Sequence, residues 1–170
     1  MPDDAAEAPE PQAGFVRSLG PVESALDLGC GDGRLSGLLR ARELTLADVS
    51  ALALARAARR VPTATHVELS PDAPLPFAES SFGLVLCAET IEHVRDVQLF
   101  LSEIRRVLRP GGTLALTTPA HLPVGPRPHP LSPHLRFFTR RSLKALLGEL
   151  GFDVRSLERR AGTLLVRATR

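Results

Sequence analysis

The chain has 170 residues, a formal net charge of +2, 44% hydrophobic and 24% charged residues. That suits one domain able to build a real core, and no apolar run is long enough to cross a bilayer. Cys30 and Cys87 are too few for a disulfide scaffold; they read as free, buried thiols in a reducing compartment.

Residues 1–14 combine Pro, Ala and acidic side chains with no apolar period, and are expected to form a disordered tail ahead of a domain over 15–170. They lack the basic start and apolar stretch of a secretory signal, so the expected compartment is the cytoplasm. Charge is split unevenly. Residues 101–170 hold 13 Lys/Arg and 4 Asp/Glu, a balance of +9, against −7 in residues 1–100. Twenty of the 21 basic residues are arginine, which fits a solvated arginine-rich surface better than a dedicated anion site. Nucleic acid is not the favoured partner, because the chain has no Tyr or Trp to stack on bases.

From Ser24 onward, short apolar runs alternate with amphipathic stretches. Runs at Ala25–Leu28, Leu44–Ala47, His66–Leu69, Leu84–Cys87 and Thr113–Thr117 read as strands of a parallel sheet covered on both faces. Helices are expected over Leu35–Ala41, Ala51–Arg60, Val97–Leu108 and Arg140–Leu150. The third carries a core-facing stripe of Leu99, Phe100, Ile104, Val107 and Leu108, and stops at Pro110-Gly111-Gly112. Phe152–Glu158 and Gly162–Ala168, joined by a polar turn at 159–161, predict an antiparallel hairpin. The fold class is α/β: one Rossmann-like, doubly wound, mostly parallel sheet ending in an antiparallel C-terminal hairpin.

The first strand runs into Leu28-Gly29-Cys30-Gly31-Asp32-Gly33. Glycines there allow a tight turn and close approach of a ligand, at the strand ends where such folds bind. Asp48, 19 residues after Gly29, ends the second apolar run, where a carboxylate accepts from both ribose hydroxyls of a nucleoside. A nicotinamide dinucleotide would want G-x-G-x-x-G beneath its pyrophosphate. Here the spacing is G-x-G-x-G, and Asp32 would oppose phosphate. A cofactor bearing a sulfonium, an amine and a carboxylate tolerates Asp27 and Asp32.

Residues 25–33 resemble the first motif of the class I S-adenosylmethionine-dependent methyltransferases, of the type 11-like kind. Pro74-Leu75-Pro76-Phe77, Ser81-Phe82-Gly83-Leu84-Val85, Glu89-Thr90-Ile91-Glu92-His93-Val94, Arg105-Arg106-Val107-Leu108-Arg109-Pro110-Gly111-Gly112, His134-Leu135-Arg136-Phe137-Phe138-Thr139 and Leu150-Gly151-Phe152 resemble later segments of that family, in order, so the likeness spans residues 24–168. It implies S-adenosylmethionine as cofactor and methyl transfer to a small-molecule, or else macromolecular, acceptor. It implies that Asp27, Leu28, Gly29, Cys30 and Gly31 line the methionine end, that Asp48 binds the ribose and Val49 packs on adenine. Asp72 and the Ala73 N–H would face the adenine ring, and the Ala88 carbonyl the ammonium group. Two departures stand out. The spacing from Asp72 to Leu75-Pro76 is one residue short, which leaves Glu68 or Ser70 as alternatives at the adenine, and Gly83 stands where the family usually has aspartate.

Glu89-x-x-Glu92-His93 is the remaining chemical cluster. If helical, the three share a face. With a later histidine (His121, His129 or His134) they could hold a divalent cation, resembling the cluster of small-RNA 2′-O-methyltransferases. No metal ligand is assigned on this basis. His93 is the candidate catalytic residue, as base or acceptor-orienting group. Proline-rich residues 119–133, with Arg127 and, just beyond them, Arg136, follow the fifth strand and are expected to overhang the acceptor pocket. Two other readings stay open: a non-catalytic binding subunit of the same fold, and a nicotinamide-dependent oxidoreductase, which the lack of any tyrosine disfavours.

Overall fold

A computed structural model describes residues 7–121 and 134–170. In chain order the elements are α1 (Gln12–Arg17), β1 (Val22–Leu28), β2 (Ala41–Asp48), α2 (Ala51–Arg60), β3 (Thr65–Glu68), β4 (Phe82–Ala88), α3 (Val97–Val107), β5 (Leu108–Pro119), α4 (Arg140–Glu149), β6 (Asp153–Arg160) and β7 (Thr163–Thr169). They build a seven-stranded sheet in the order β3-β2-β1-β4-β5-β7-β6. The first five strands in that order run parallel. β7 is antiparallel to both β5 and β6, so the predicted hairpin inserts its second strand beside β5. Among the described residues no helix is long and apolar enough to cross a membrane.

Alternation along each strand sends side chains to two apolar layers. Leu26, Leu28, Val85, Cys87, Leu114 and Leu116 meet Leu101, Ile104 and Val107 of α3 and Leu143 and Leu147 of α4. On the opposite face Ala25, Leu84, Leu86 and Ala115 meet Val16 and Leu19. A smaller group joins Cys30 and Leu46 to Leu54 and Ala57 of α2. Both cysteines are free and buried, as expected, and burial pushes both thiols up from their ordinary range.

Helix starts follow local chemistry. Ser50 caps α2 by accepting from Ala53 N at 3.2 Å, Asp96 caps α3 by accepting from Leu99 N at 2.9 Å, and Thr139 and Ser142 cap α4 reciprocally. Five local expectations change. The predicted helix over Leu35–Ala41 is a single 3₁₀ turn, Ser36–Leu38, because the chain is already extended at Leu39 and β2 begins at Ala41. The boundary placed after residue 14 falls inside α1, whose Ala13 and Val16 are buried against the sheet. Leu99 does not join the core; it is 47% exposed, while Leu101 takes the buried position. Leu108 belongs to β5: after α3 the chain turns straight into the sheet, and Gly111 and Gly112 pair with the backbone of Arg170. The polar turn at 159–161 is shorter: Arg160 pairs with Thr163. Residues 122–133, including His129 and Arg127, lie outside the described residues.

That leaves Ala161 and Gly162 as a two-residue turn, both with positive φ (45° and 84°). This is the handedness that antiparallel twist demands, but alanine resists it. Ala161→Asn is expected to raise stability by about 0.5–1 kcal/mol, measured by urea unfolding.

Candidate functional site

The carboxyl ends of β1, β2 and β4 open into a cavity of about 670 Å³. The strand order reverses beside β1, which leads first outward to β2 and then, after β3, across to β4; that is where an open α/β sheet leaves a crevice. Gly29 (φ 77°) turns the chain out of β1, and a Cβ on it would stand 2.4 Å from Thr90 Oγ1 and 2.6 Å from Thr90 Cγ2. Thr90 therefore packs onto the turn through the missing side chain, with its hydroxyl 2.9 Å from Ala88 O and 3.4 Å from Leu28 O. Gly33 (φ 81°) admits α2 in the same way: a Cβ there would lie 3.1 Å from Ala57. Gly31 (φ 55°) has nothing among the described residues within 4 Å of its Cβ position and lines the cavity.

Asp48 sits at the tip of β2. Its Oδ2 accepts from Gly31 N at 2.9 Å and its Oδ1 from Ser50 N at 2.9 Å, so it ties the glycine turn to the start of α2. Asp27 lies behind the turn, fully buried, accepting from Ser36 Oγ at 2.5 Å. Burial raises its carboxyl from 3.8 to about 7; the Ser36 bond opposes the rise and the nearby Asp48 charge adds to it.

Of the residues assigned in sequence, Leu28, Gly29, Gly31, Asp48, Val49, Asp72, Ala73 and His93 line the cavity. Val49 and Leu99 are large apolar side chains left exposed there. Asp27, Cys30 and Ala88 are buried behind the cavity lining. Asp72 is a turn residue (φ 58°) beside the 3.3 Å bond from Ala73 N to Ser70 O, and Arg95 stands 3.7 Å from its carboxylate. Ser70 shares this wall, whereas Glu68 is outside the lining.

Glu89, Glu92 and His93 do not share a helical face. Only Ile91–His93 form a 3₁₀ turn, and Glu89 precedes it in left-handed backbone (φ 50°). Glu89 lines the cavity and accepts from Thr117 Oγ1 at 2.9 Å. Glu92 is buried and accepts from Thr118 Oγ1 at 2.9 Å; burial raises its carboxyl above the ordinary range. Sequence reasoning missed Thr90, Leu69, Leu99, Phe100 and Glu103 as lining residues; the left-handed backbone at Asp72 and Glu89, invisible in sequence, marks the site locally.

Among the described residues the cavity lining carries five carboxylates (Asp48, Asp72, Glu89, Asp96, Glu103) against Arg95 and His93, with Arg106 paired to Glu103 from outside the lining. Such a wall repels a pyrophosphate and suits a cationic nucleoside.

A family model described as "Methyltransferase domain" matches residues 26–116, more than half of the chain. The chain belongs to this methyltransferase family. It is 36% identical over 133 residues to a Mycolicibacterium smegmatis protein named "probable S-adenosylmethionine-dependent methyltransferase", covering 76% of this chain and 51% of that one. It is also 36% identical over 133 residues to a malonyl-acyl-carrier-protein O-methyltransferase of Enterobacter lignolyticus, covering 74% and 53%. The chain thus spans about half the length of the curated relatives it matches. The methyltransferase fold recurs in the crystal structure of an S-adenosylmethionine-dependent methyltransferase from Mesorhizobium loti, with a TM-score of 0.76, 21% identity, and 92% and 96% of the two chains covered.

Two outcomes are expected. Gly31→Ala should cost about 1–2 kcal/mol, the left-handed backbone alone, and Gly29→Ala about 1–3 kcal/mol more, because Thr90 must be displaced; urea unfolding of both variants checks this. Between about pH 4 and 7 the folded protein keeps an Asp27 proton that the unfolded chain has lost, so this contribution is full below pH 3.8 and is lost as pH rises through about 7. Relative to Asp27→Asn, the wild-type protein should therefore be less stable at about pH 8 than at about pH 5, measured by urea unfolding at both.

Proposed function

We propose that the chain binds S-adenosylmethionine in this cavity and transfers its methyl group to an acceptor, a small molecule being favoured. The observation that carries the reading is the carboxylate-lined cavity at the ends of β1, β2 and β4, with Asp48 at the tip of β2. Family membership supports it. The bound donor supplies an activated methyl group on a cationic sulfur.

The chain's own residues do the rest. Asp48 keeps lone pairs beyond its bonds to Gly31 and Ser50, and these accept from the ribose hydroxyls. Gly29 and Gly31 let backbone approach the methionine end, with Asp27 buried beneath. Val49 and Leu99 offer apolar surface to the adenine, and the 70–73 turn its polar edge. The Ala88 carbonyl is turned toward Thr90, so Glu89, one residue on and inside the cavity, is the better partner for the ammonium group. Alignment of acceptor and methyl supplies much of the barrier reduction. His93, partly exposed on the cavity wall, is placed to orient the acceptor.

Calorimetry tests this. S-Adenosylhomocysteine should bind and NAD should not. Asp48→Ala should weaken that binding about 10- to 100-fold, the cost of losing hydrogen bonds to a charged group. A folded wild-type sample that binds no S-adenosylhomocysteine overturns the proposal.

A further inference from the structure

The Glu92 carboxylate is 1% exposed. Its Oε2 accepts from Thr118, but its Oε1 has no hydrogen-bond partner among the described residues. Leaving a buried carboxylate oxygen unpartnered is costly, so something of positive character is called for there. What faces it is a pair of imidazoles. His93 Nε2 is 4.0 Å from Glu92 Oε1, beyond hydrogen-bond length. The His134 ring stands edge-on to that of His93, centroids 4.9 Å apart. One donor atom from each of Glu92, His93 and His134 lies within 4.8 Å of the others.

The juxtaposition is built by the fold. Leu135 N donates to Glu92 O at 2.8 Å and Arg136 Nη2 to Arg95 O at 2.7 Å. His121 N donates to Phe138 O at 2.7 Å. The first two bonds dock residues 135 and 136, which follow β5 in the chain, onto the turn after β4, and the third ties residue 138 to the end of β5. Thr118 on β5 holds the second oxygen of Glu92, the outer-shell support that metal-binding carboxylates commonly have.

We propose that Glu92, His93 and His134 form a site for one divalent transition-metal ion of the zinc or manganese type. Two imidazoles and one carboxylate are borderline donors that suit such ions, and not Ca²⁺ or Mg²⁺, which prefer all-oxygen sites. Donors about 2.0–2.2 Å from an ion stand about 3–4 Å apart, so a small closure of the His134 ring completes the set. Three protein ligands leave coordination positions open. His93 also lines the cavity, so those positions border it and fit an oxygen donor of the acceptor, hydroxyl or carboxylate. This use of the ion rests on the methyltransferase reading; its binding does not.

The test uses chelator-treated protein titrated calorimetrically with Zn²⁺, Mn²⁺ and Mg²⁺, each sample also titrated with S-adenosylhomocysteine. One Zn²⁺ or Mn²⁺ per chain is expected, with Mg²⁺ silent. His134→Ala and Glu92→Gln should each weaken metal binding more than about tenfold while S-adenosylhomocysteine still binds. Because Glu92→Gln alters a buried side chain that Thr118 holds, the half-buried His134→Ala carries the comparison. No stoichiometric binding by the wild-type protein, or unchanged binding in His134→Ala, overturns the metal site. Metal binding without S-adenosylhomocysteine binding overturns the cofactor reading and leaves the metal site standing.

Discussion

The contact on which the site depends is the one between Gly29 and Thr90. Two segments distant in sequence, the exit of β1 and the exit of β4, occupy space that a single methyl group would deny them. The Thr90 hydroxyl then spans the last carbonyls of both strands. These strands are neighbours at the point where the sheet's order reverses, so the contact fixes the floor of the crevice that the fold leaves open there. Asp48 performs the matching task on the other side, tying β2 to the glycine turn and to α2. Ligand-facing backbone is thereby positioned before any ligand arrives.

A second set of interactions builds the wall opposite. Glu103 on α3 accepts from Leu75 N at 2.8 Å, and Arg106 donates to Leu75 O at 3.0 Å and Phe77 O at 2.8 Å. The Arg106 guanidinium, hydrogen-bonded to Glu103, holds that carboxyl below the usual range and is itself raised in return. A chain segment without regular structure is thus clamped to a helix by charge-assisted bonds. The cavity wall on that side is thus made by α3 and the irregular segment clamped to it.

The carboxylates of the site differ in state as well as place. Asp27 and Glu92 are buried and hold their protons more tightly than free side chains do, Asp27 up to about 7. Each has a hydroxyl partner, Ser36 or Thr118, and each lies behind a cavity residue. Asp48 and Glu89 face the cavity itself. The outer carboxylates are placed to meet a cationic ligand, and the inner ones hold the turns that present them.

Sequence alone was enough for whatever depends on neighbours along the chain. Apolar runs marked the parallel strands, amphipathic stretches marked α2, α3 and α4, and the last two runs marked the hairpin. The glycine turn and Asp48 were legible too, because backbone freedom and a carboxylate at a strand tip are local properties. What needed the tertiary structure was every relation between segments. Leu35–Ala41 carries a helical pattern, yet the start of β2 at Ala41 leaves it room for one 3₁₀ turn. Leu99 reads as core but faces the cavity, and Leu101 takes its place, since the rotation of α3 is set by packing on the sheet. Glu89, Glu92 and His93 read as one helical face; the left-handed backbone at Glu89 parts them and His134, from the segment after β5, joins the last two. Periodicity reports which side of an element is apolar; which neighbour that side meets is decided only when the layers close.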